Sequence, residues 1–154
     1  MTQATTQATT ETMTQVVVLE FDEQLRGALH DALTLYDRYF VTDLSEEMAG
    51  VQYLAATPAG VVVVVSNRDM DHHMSAAFFA AVAADEQLAR RHRYILLSTD
   101  PTRMPDCLRA HLAQLNVTIL AKPFDVDDLL AAVREATASL VLQPAPVCDS
   151  VRAS

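Results

Sequence analysis

The chain has 154 residues, of which 51% are hydrophobic and 20% charged, values typical of one globular domain rather than of a disordered or fibrous chain. Acidic residues outnumber basic ones by 20 to 11, which gives a formal charge of −9. Because Lys and Arg do not cluster into a surface that could face a phosphate backbone, direct nucleic-acid binding is not expected.

The sequence pattern predicts a tail outside the folded domain at each end of the chain. Residues 1–15 repeat Thr, Gln and Ala without hydrophobic periodicity, which predicts a disordered tail. This start also lacks the basic and apolar regions of a secretory signal, and no apolar run approaches the roughly 20 residues of a membrane span, so a cytoplasmic protein is expected. Pro144 and Pro146 interrupt regular structure near the other end, and residues 139–154 are predicted to be a second tail.

Five short runs of apolar, often β-branched residues predict five strands between these tails. They are Val16-Val17-Val18-Leu19, Tyr39-Phe40-Val41, Val61 to Val65, Tyr94-Ile95-Leu96-Leu97 and Val117-Thr118-Ile119-Leu120. Most are apolar at consecutive positions instead of alternating, which is typical of parallel strands covered on both faces.

Each predicted strand is followed by a segment with helical periodicity. The first helix follows an Asp22 cap and is expected to turn a stripe of residues to the core, with Leu29, Leu33 and Tyr36 among them. The second opens near Ser45, the third is predicted as one alanine-rich helix over residues 75–91, the fourth begins near Pro105, and the fifth follows Asp125. The order (βα)5 with right-handed crossovers predicts a doubly wound α/β sheet.

In such sheets the functional crevice lies beyond the carboxyl ends of the strands. The residues that follow or end the predicted strands are Glu20, Phe21, Asp22, Ser66, Ser98 and Lys122. His72 and His73, beside Asp69 and Asp71, suggest a second hypothesis, a metal site. Adjacent histidines point in different directions and no third ligand is evident, so no metal and no cofactor is predicted.

The stretch AKPFDVDDLLAAVREA, residues 121–136, resembles the fifth strand and helix of a response-regulator receiver domain, where Lys-Pro-Phe ends the strand. The stretches VVVLEFDEQLRGAL, PAGVVVVVSNRDMD and YILLSTD resemble its first, third and fourth strands with their loops. The resemblance covers about residues 16–138. It implies a flavodoxin-like or CheY-like sheet of order 2-1-3-4-5 and a role in two-component, phosphorelay signal transduction.

In receivers a strand-3 aspartate is phosphorylated, two acids after strand 1 hold Mg²⁺, and a Ser or Thr and a Lys contact the phosphoryl group. Carried over by position, Ser98, Lys122 and Glu20 match the pattern, whereas Phe21 replaces the second acid and cannot coordinate a hard cation. Ile119 stands where the family has its aromatic switch residue.

The phosphoacceptor position is found by counting back from Met70 and Asp71, which match the family's Met-Asp pair without a gap. That position is Val64, which has no nucleophile. The resemblance therefore implies a vestigial phosphorylation pocket without aspartyl phosphorylation, and Ser66, Asp69 and Asp22 are not expected to replace the acceptor. The residues of this pocket are Glu20, Phe21, Asp22, Val64, Ser66, Ser98 and Lys122. Lys122 is expected to pair with Glu20 or Asp22, or else to keep an anion site with Ser98.

These residues predict an aspartate-less pseudo-receiver that is not an enzyme and that signals by binding a protein. The resemblance implies a homodimer through the face of the fourth helix, fifth strand and fifth helix, about residues 105–136. Arg109 and Arg134 would there be available for intersubunit pairs with Asp106, Asp125, Asp127 and Asp128. The alternative is a small-molecule or anion sensor that uses the vestigial pocket.

Overall fold

The computed structural model describes residues 14–66 and 73–142, in which strands and helices alternate. The elements are β1 (Gln15–Leu19), α1 (Glu23–Asp37), β2 (Phe40–Leu44), α2 (Glu47–Ala55), β3 (Val62–Ser66), α3 (His73–Ala83), α4 (Glu86–Arg91), β4 (Arg93–Ser98), α5 (Asp106–Leu115), β5 (Thr118–Ala121) and α6 (Val126–Leu142). A short 3₁₀ turn, Pro101–Arg103, precedes α5. Within the described residues, no helix is both long and apolar enough to cross a membrane.

The five strands form one parallel sheet of order β2-β1-β3-β4-β5. The predicted doubly wound fold and its strand order are therefore confirmed. β1 and β3 lie at the centre, and β2 and β5 are the outer strands. The carboxyl ends of all strands meet at one edge of the sheet, because the strands run in the same direction.

The valine run of β3 contributes to both halves of the core. Val63 and Val65 pack on one side of the sheet, with Phe78 of α3 and Leu108 of α5. Val62 and Val64 pack on the other side, where the covering residues come from α1 and α6: Leu29, Leu33, Leu129 and Val133. Both faces of the strand are covered, and this explains why its sequence is apolar at consecutive positions.

The helix predicted over residues 75–91 is two helices, α3 and α4, so this prediction was wrong. The interruption lies at Asp85, whose carboxylate accepts hydrogen bonds from the backbone N–H groups of Gln87 (3.0 Å) and Leu88 (3.3 Å). An aspartate that caps the first turn of a new helix ends the continuity of the helix before it. The capping signal was present in the sequence, but the alanine-rich run before it favoured one long helix.

The last helix extends to Leu142, beyond the predicted end of the domain at residue 138. Its final turns are held to the sheet, because Arg93 Nε donates to Ser139 Oγ (2.9 Å) and Leu140 packs against the core. At the start of the chain, β1 begins at Gln15, within the predicted tail. The rest of the two predicted tails, residues 1–13 and 143–154, lies outside the described residues.

The amino end of the sheet is closed by contacts between the segment before β3 and the segment before β4. His92 Nδ1 accepts the Val61 N–H (3.0 Å), and Arg91 Nη1 donates to the Thr57 carbonyl (3.0 Å). A Cβ on Gly60 would lie 2.6 Å from the Arg91 carbonyl oxygen, so the two segments approach too closely for a larger residue. Burial, reinforced by the charge of Arg91, lowers the pKa of His92 to about 4, and the ring is neutral at pH 7.

Candidate functional site

Three polar residues lie at the carboxyl edge of the three central strands. Glu20 directly follows β1, Ser66 ends β3 and Ser98 ends β4. Leu19 pairs with Val65, so Glu20 and Ser66 come at the same level of the sheet, and Ser66 in turn pairs with Leu97, the residue before Ser98. The structure thus places these predicted site residues at adjoining positions.

These three side chains are buried, with exposures of 3% for Glu20, 7% for Ser66 and 0% for Ser98. One oxygen of each, Glu20 Oε1, Ser66 Oγ and Ser98 Oγ, has no hydrogen-bond partner in the part of the chain that is described. Glu20 Oε2 accepts the Asp22 N–H (2.8 Å). A buried polar atom without a partner costs about 1–3 kcal/mol, so packing alone does not explain this group.

Asp22 and Phe21 lie at the rim and not inside this group. Asp22 caps α1 by accepting the Gln24 N–H (3.0 Å), and its side chain is exposed. The side chain of Phe21 is 52% exposed, while its carbonyl accepts a bond from Arg26 (3.3 Å). Phe21, which the resemblance includes in the pocket, therefore has its side chain at the rim. The capping turn that begins α1 reverses the chain at this point and leaves the ring on the outside.

Val64 lies in the core instead of the pocket, contrary to the prediction. It pairs with Val18 and Ile95, is 0% exposed, and packs beneath α1 and α6. The strand continues for two residues beyond it, so the β3 side chain at the level of Glu20 is that of Ser66. The count that pointed to Val64 assumed a loop without a gap across residues 67–72, which are outside the described residues.

Val64 and Ser66 share one feature, the lack of a carboxylate. β3 consists of four valines and a serine, so the strand carries no carboxylate at either position. The receiver reaction requires a carboxylate oxygen that attacks phosphorus, and a valine methyl group or an uncharged hydroxyl does not supply one.

Lys122 follows β5 at the same edge and is half-buried. Its backbone N–H donates to the Ser98 carbonyl (2.8 Å), and its peptide bond to Pro123 is cis. The Glu20 carboxylate is held by the Asp22 backbone, and the Asp22 carboxylate caps α1. The expected pairing of Lys122 with Glu20 or Asp22 stays a prediction.

The face predicted for dimerisation corresponds to α5, β5 and α6. Ile119 lies in β5 and is 41% exposed. The two arginines expected to make intersubunit pairs are engaged within the chain: Arg109 donates to the Thr102 and Met104 carbonyls (3.4 and 3.2 Å), and Arg134 donates twice to Asp37 (2.8 and 2.9 Å). The remaining exposed charges on the helices of this face are mainly acidic: Asp106, Asp127, Asp128 and Glu135.

Residues 14–66 and 73–142 contain no group of three His, Cys, Asp or Glu side chains arranged for a metal ion. The residues of the metal hypothesis, His72, Asp69 and Asp71, lie outside these ranges, so their part in it stays untested. Sequence reasoning missed the buried His92, whose arginine neighbours in the sequence gave no sign of burial. The helical pattern also predicted that Tyr36 faces the core. This prediction was wrong, because its side chain is 67% exposed.

No model of a protein family matches the sequence, and no curated protein matches it. Solved structures do match. A CheY-like response regulator receiver domain protein from Methanospirillum hungatei JF-1 is 18% identical with a TM-score of 0.69, over 84% of this chain and 98% of that one. The signal receiver domain of an HD domain-containing protein from Pseudomonas fluorescens Pf-5 is 17% identical with a TM-score of 0.68, over 85% and 99%.

The chemotaxis response regulator CheY4 of Vibrio cholerae is also similar, with 17% identity and a TM-score of 0.63 over 80% of this chain and 98% of that one. These neighbours are matched over nearly their whole length, and their identities are low. The predicted likeness to receiver domains is confirmed in structure, and the chain has the fold of a response-regulator receiver domain.

Proposed function

We propose that this chain is a receiver-like signalling module that acts in the cytoplasm by protein contact, without aspartyl phosphorylation and without enzymatic activity. The observation that carries the proposal is the composition of β3, in which Ser66 and not an aspartate lies level with Glu20. A scaffold that keeps Glu20, Ser98 and Lys122 but lacks the carboxylate nucleophile retains the shape of the phosphorylation site without its reaction.

The second acid of the metal pair supports the same proposal. Phe21 occupies its place in the sequence, and the ring is half-exposed at the rim. Mg²⁺ is held by hard oxygen ligands in near-octahedral geometry, and an aromatic ring contributes none. Glu20 alone is a weak basis for a metal that would neutralise a phosphoryl group.

The α5, β5 and α6 face supports a protein partner. Ile119 and Val126 are large apolar residues that are 41% and 42% exposed there, beside the acidic residues at the start of α6. A homodimer through this face would bring Asp127 and Asp128 of both copies together, while Arg134 is already held by Asp37. We therefore propose a different protein with a basic and apolar surface as the partner on this face, in preference to a second copy and to nucleic acid.

Incubation with acetyl phosphate, or with beryllofluoride and Mg²⁺, tests the absence of phosphorylation. The mass and the ¹H–¹⁵N spectrum of the protein are expected to stay unchanged. The matched control is the double variant Phe21→Asp with Ser66→Asp, which restores both carboxylates and is expected to show Mg²⁺-dependent shifts with beryllofluoride. A specific adduct on the unaltered chain would refute the proposal.

A second candidate function, a sensor of a small polar molecule or anion, is favoured by the three buried oxygens of Glu20, Ser66 and Ser98 without hydrogen-bond partners. A ligand that satisfied them would gain hydrogen bonds in a dry site. Thermal denaturation with a panel of phosphate, sulfate and small zwitterions tests this function. A stabilising compound whose effect disappears in Ser98→Ala would place the ligand at this edge.

A further inference from the structure

Glu20 and Ser66 are buried polar residues that lie side by side on one face of the sheet. Leu19 pairs with Val65, so the residues that follow them, Glu20 and Ser66, are neighbours on adjacent strands. The Glu20 N–H bonds to the Leu44 carbonyl (3.1 Å), which continues the β1 ladder through this residue. Because side chains alternate along a strand, both side chains point to the face that α1 and α6 cover. A single small group can therefore contact both.

Ser98 points to the other face of the sheet. It ends β4, and the residues two and four positions before it, Leu96 and Tyr94, pack on the face that α3 and α5 cover. Alternation places Ser98 on that same face. Of the three buried residues at this edge, Glu20 and Ser66 are thus the two whose oxygens without described partners lie on a common face.

The unpartnered oxygens of Glu20 and Ser66 call for a hydrogen-bond donor. Glu20 Oε2 accepts the Asp22 N–H (2.8 Å), whereas Glu20 Oε1 and Ser66 Oγ have no partner among the described residues. A carboxylate oxygen only accepts hydrogen bonds, and a serine hydroxyl accepts as well as donates. A group that donates to both oxygens would satisfy them, whereas an anion would meet the charge of the carboxylate.

The charge of the surrounding edge favours a cation. Arg26 lies close to Glu20, but it donates to the backbone carbonyls of Glu20 and Phe21 (2.9 and 3.3 Å). A positive charge near Glu20 Oε1 is attracted by the carboxylate and by the acidic edge as a whole. In the segments that follow β1, β4 and β5, acidic residues outnumber basic ones, with Glu20, Asp22, Asp100 and Asp125 against Arg103 and Lys122.

The rim beside Glu20 gives access from solvent. The two residues that follow it, Phe21 and Asp22, have exposed side chains. Solvent therefore begins one residue away from the buried carboxylate. The Phe21 ring, 52% exposed, offers an apolar surface against which the rest of a bound molecule can lie.

We propose that Glu20 and Ser66 bind the primary ammonium group of a small organic molecule. An ammonium group is compact, positively charged and has three N–H donors, so it donates to Glu20 Oε1 and to Ser66 Oγ at the same time. A hard metal ion is disfavoured, because it needs several oxygen ligands and the described residues hold no group of three His, Cys, Asp or Glu side chains for it. This inference rests on the second candidate function, the sensor, and narrows its ligand to a cation.

Thermal denaturation of the full chain tests the class of ligand. Methylammonium and benzylammonium chloride are expected to raise the melting temperature, and benzyl alcohol and sodium chloride, the neutral and ionic controls, are not. Stabilisation by phosphate or sulfate and not by the amines would overturn the ammonium inference and leave the sensor function standing. A protein that responds neither to the amines nor to any other small molecule would overturn both.

Binding of methylammonium to variants, followed by calorimetry, tests the two residues. Glu20→Gln is expected to weaken binding at least about tenfold, because it removes the charged acceptor, and Ser66→Ala to weaken it less. Glu46→Gln is the matched control, since it removes an exposed carboxylate of the same edge that makes no capping hydrogen bond. Equal losses in Glu20→Gln and Glu46→Gln would indicate general attraction to an acidic edge and would overturn the site.

The ¹H–¹⁵N spectrum of the unaltered chain locates the amine without relying on a variant. The amides of Glu20, Phe21 and Ser66 are expected to shift during titration with methylammonium chloride, and those of Val61 and Arg93, at the amino end of the sheet, are not. Shifts that leave Glu20 and Ser66 unchanged would overturn the site.

Discussion

The two ends of β4 differ in the hydrogen bonding of their buried polar side chains. Near the amino end, Tyr94 donates its hydroxyl to the Leu88 carbonyl (2.8 Å), and the adjoining His92 accepts the Val61 N–H (3.0 Å). At the carboxyl end, the Ser98 hydroxyl is fully buried and has no hydrogen-bond partner among the described residues. At the amino end Tyr94 and His92 Nδ1 join the segments through hydrogen bonds, and His92 Nε2 is the atom there without a partner among the described residues. At the carboxyl end the side-chain oxygen of Ser98 makes no such bond.

This difference has a physical meaning, because buried polar groups without partners lower stability and are usually few. They persist where a protein uses them for something other than packing. In doubly wound sheets the ligand crevice lies at the carboxyl ends of the strands. The buried oxygens of Glu20, Ser66 and Ser98 without described partners lie at that edge of the sheet.

The largest expected change in the free energy of unfolding comes from placing a carboxylate in the core of β3 instead of at its carboxyl end. Val64→Asp places a carboxylate among apolar side chains and is expected to lower the free energy of unfolding by about 4 kcal/mol or more. Ser66→Asp, two residues later at the sheet edge, is expected to cost at most about 2 kcal/mol. Chemical denaturation followed by circular dichroism measures both. Equal stabilities of the two variants would show that Val64 faces the pocket after all.

The pH dependence of stability tests the amino end. Because the pKa of His92 is lowered from 6.5 to about 4, the unfolded chain binds a proton in this interval and the folded chain does not. Above pH 6.5 His92 is neutral in both states, and the free energy of unfolding does not depend on it. As the pH falls from 6.5 towards 4, protonation of the unfolded chain lowers the free energy of unfolding by about 3 kcal/mol in total.

His92→Asn is the matched control for this measurement, since its side-chain oxygen can accept the Val61 N–H but does not titrate. The carboxylates of the two proteins titrate alike, so the difference between their unfolding free energies isolates the histidine. Parallel pH profiles between 6.5 and 4 would mean that His92 is not buried as described.

The smallest expected changes in stability come from removing either of two hydroxyl groups on β4. Tyr94→Phe removes the buried hydrogen bond to the Leu88 carbonyl, so it is expected to lower stability by about 1 kcal/mol. Ser98→Ala removes a hydroxyl without a described partner and is expected to change stability by less than about 0.5 kcal/mol, or to raise it. Thermal unfolding measures both. A loss in Ser98→Ala as large as in Tyr94→Phe would reveal a partner outside the described residues.

The strands could be predicted from the sequence because burial on both faces leaves a strong local signal. The valines of β3 and the apolar run Tyr94-Ile95-Leu96-Leu97 are examples, and the strand order followed from the resemblance. Glu20, Ser98 and Lys122 could be placed at the carboxyl edge for the same reason, since each directly follows or ends a strand.

Other features depend on geometry that a linear pattern does not contain. The register that sets Ser66 level with Glu20 is a property of the pairing between β1 and β3, so counting through a loop of unknown path led to Val64. Tyr36 follows the helical period of the core residues, yet its side chain, in the last turn of α1, is 67% exposed. The engagement of Arg134 by Asp37 joins residues that are 97 positions apart and left no sign in the sequence.

The contacts at the end of α6 also determine where the chain can be shortened. Ser139 binds Arg93 of β4, and a side-chain carbon of Leu140 would lie 3.0 Å from a Cβ at Gly60. A truncation after residue 138, where the sequence pattern places the domain boundary, would therefore remove part of the support for β4 and for the turn before β3. Fusion partners and affinity tags belong after Leu142, where the described helix ends.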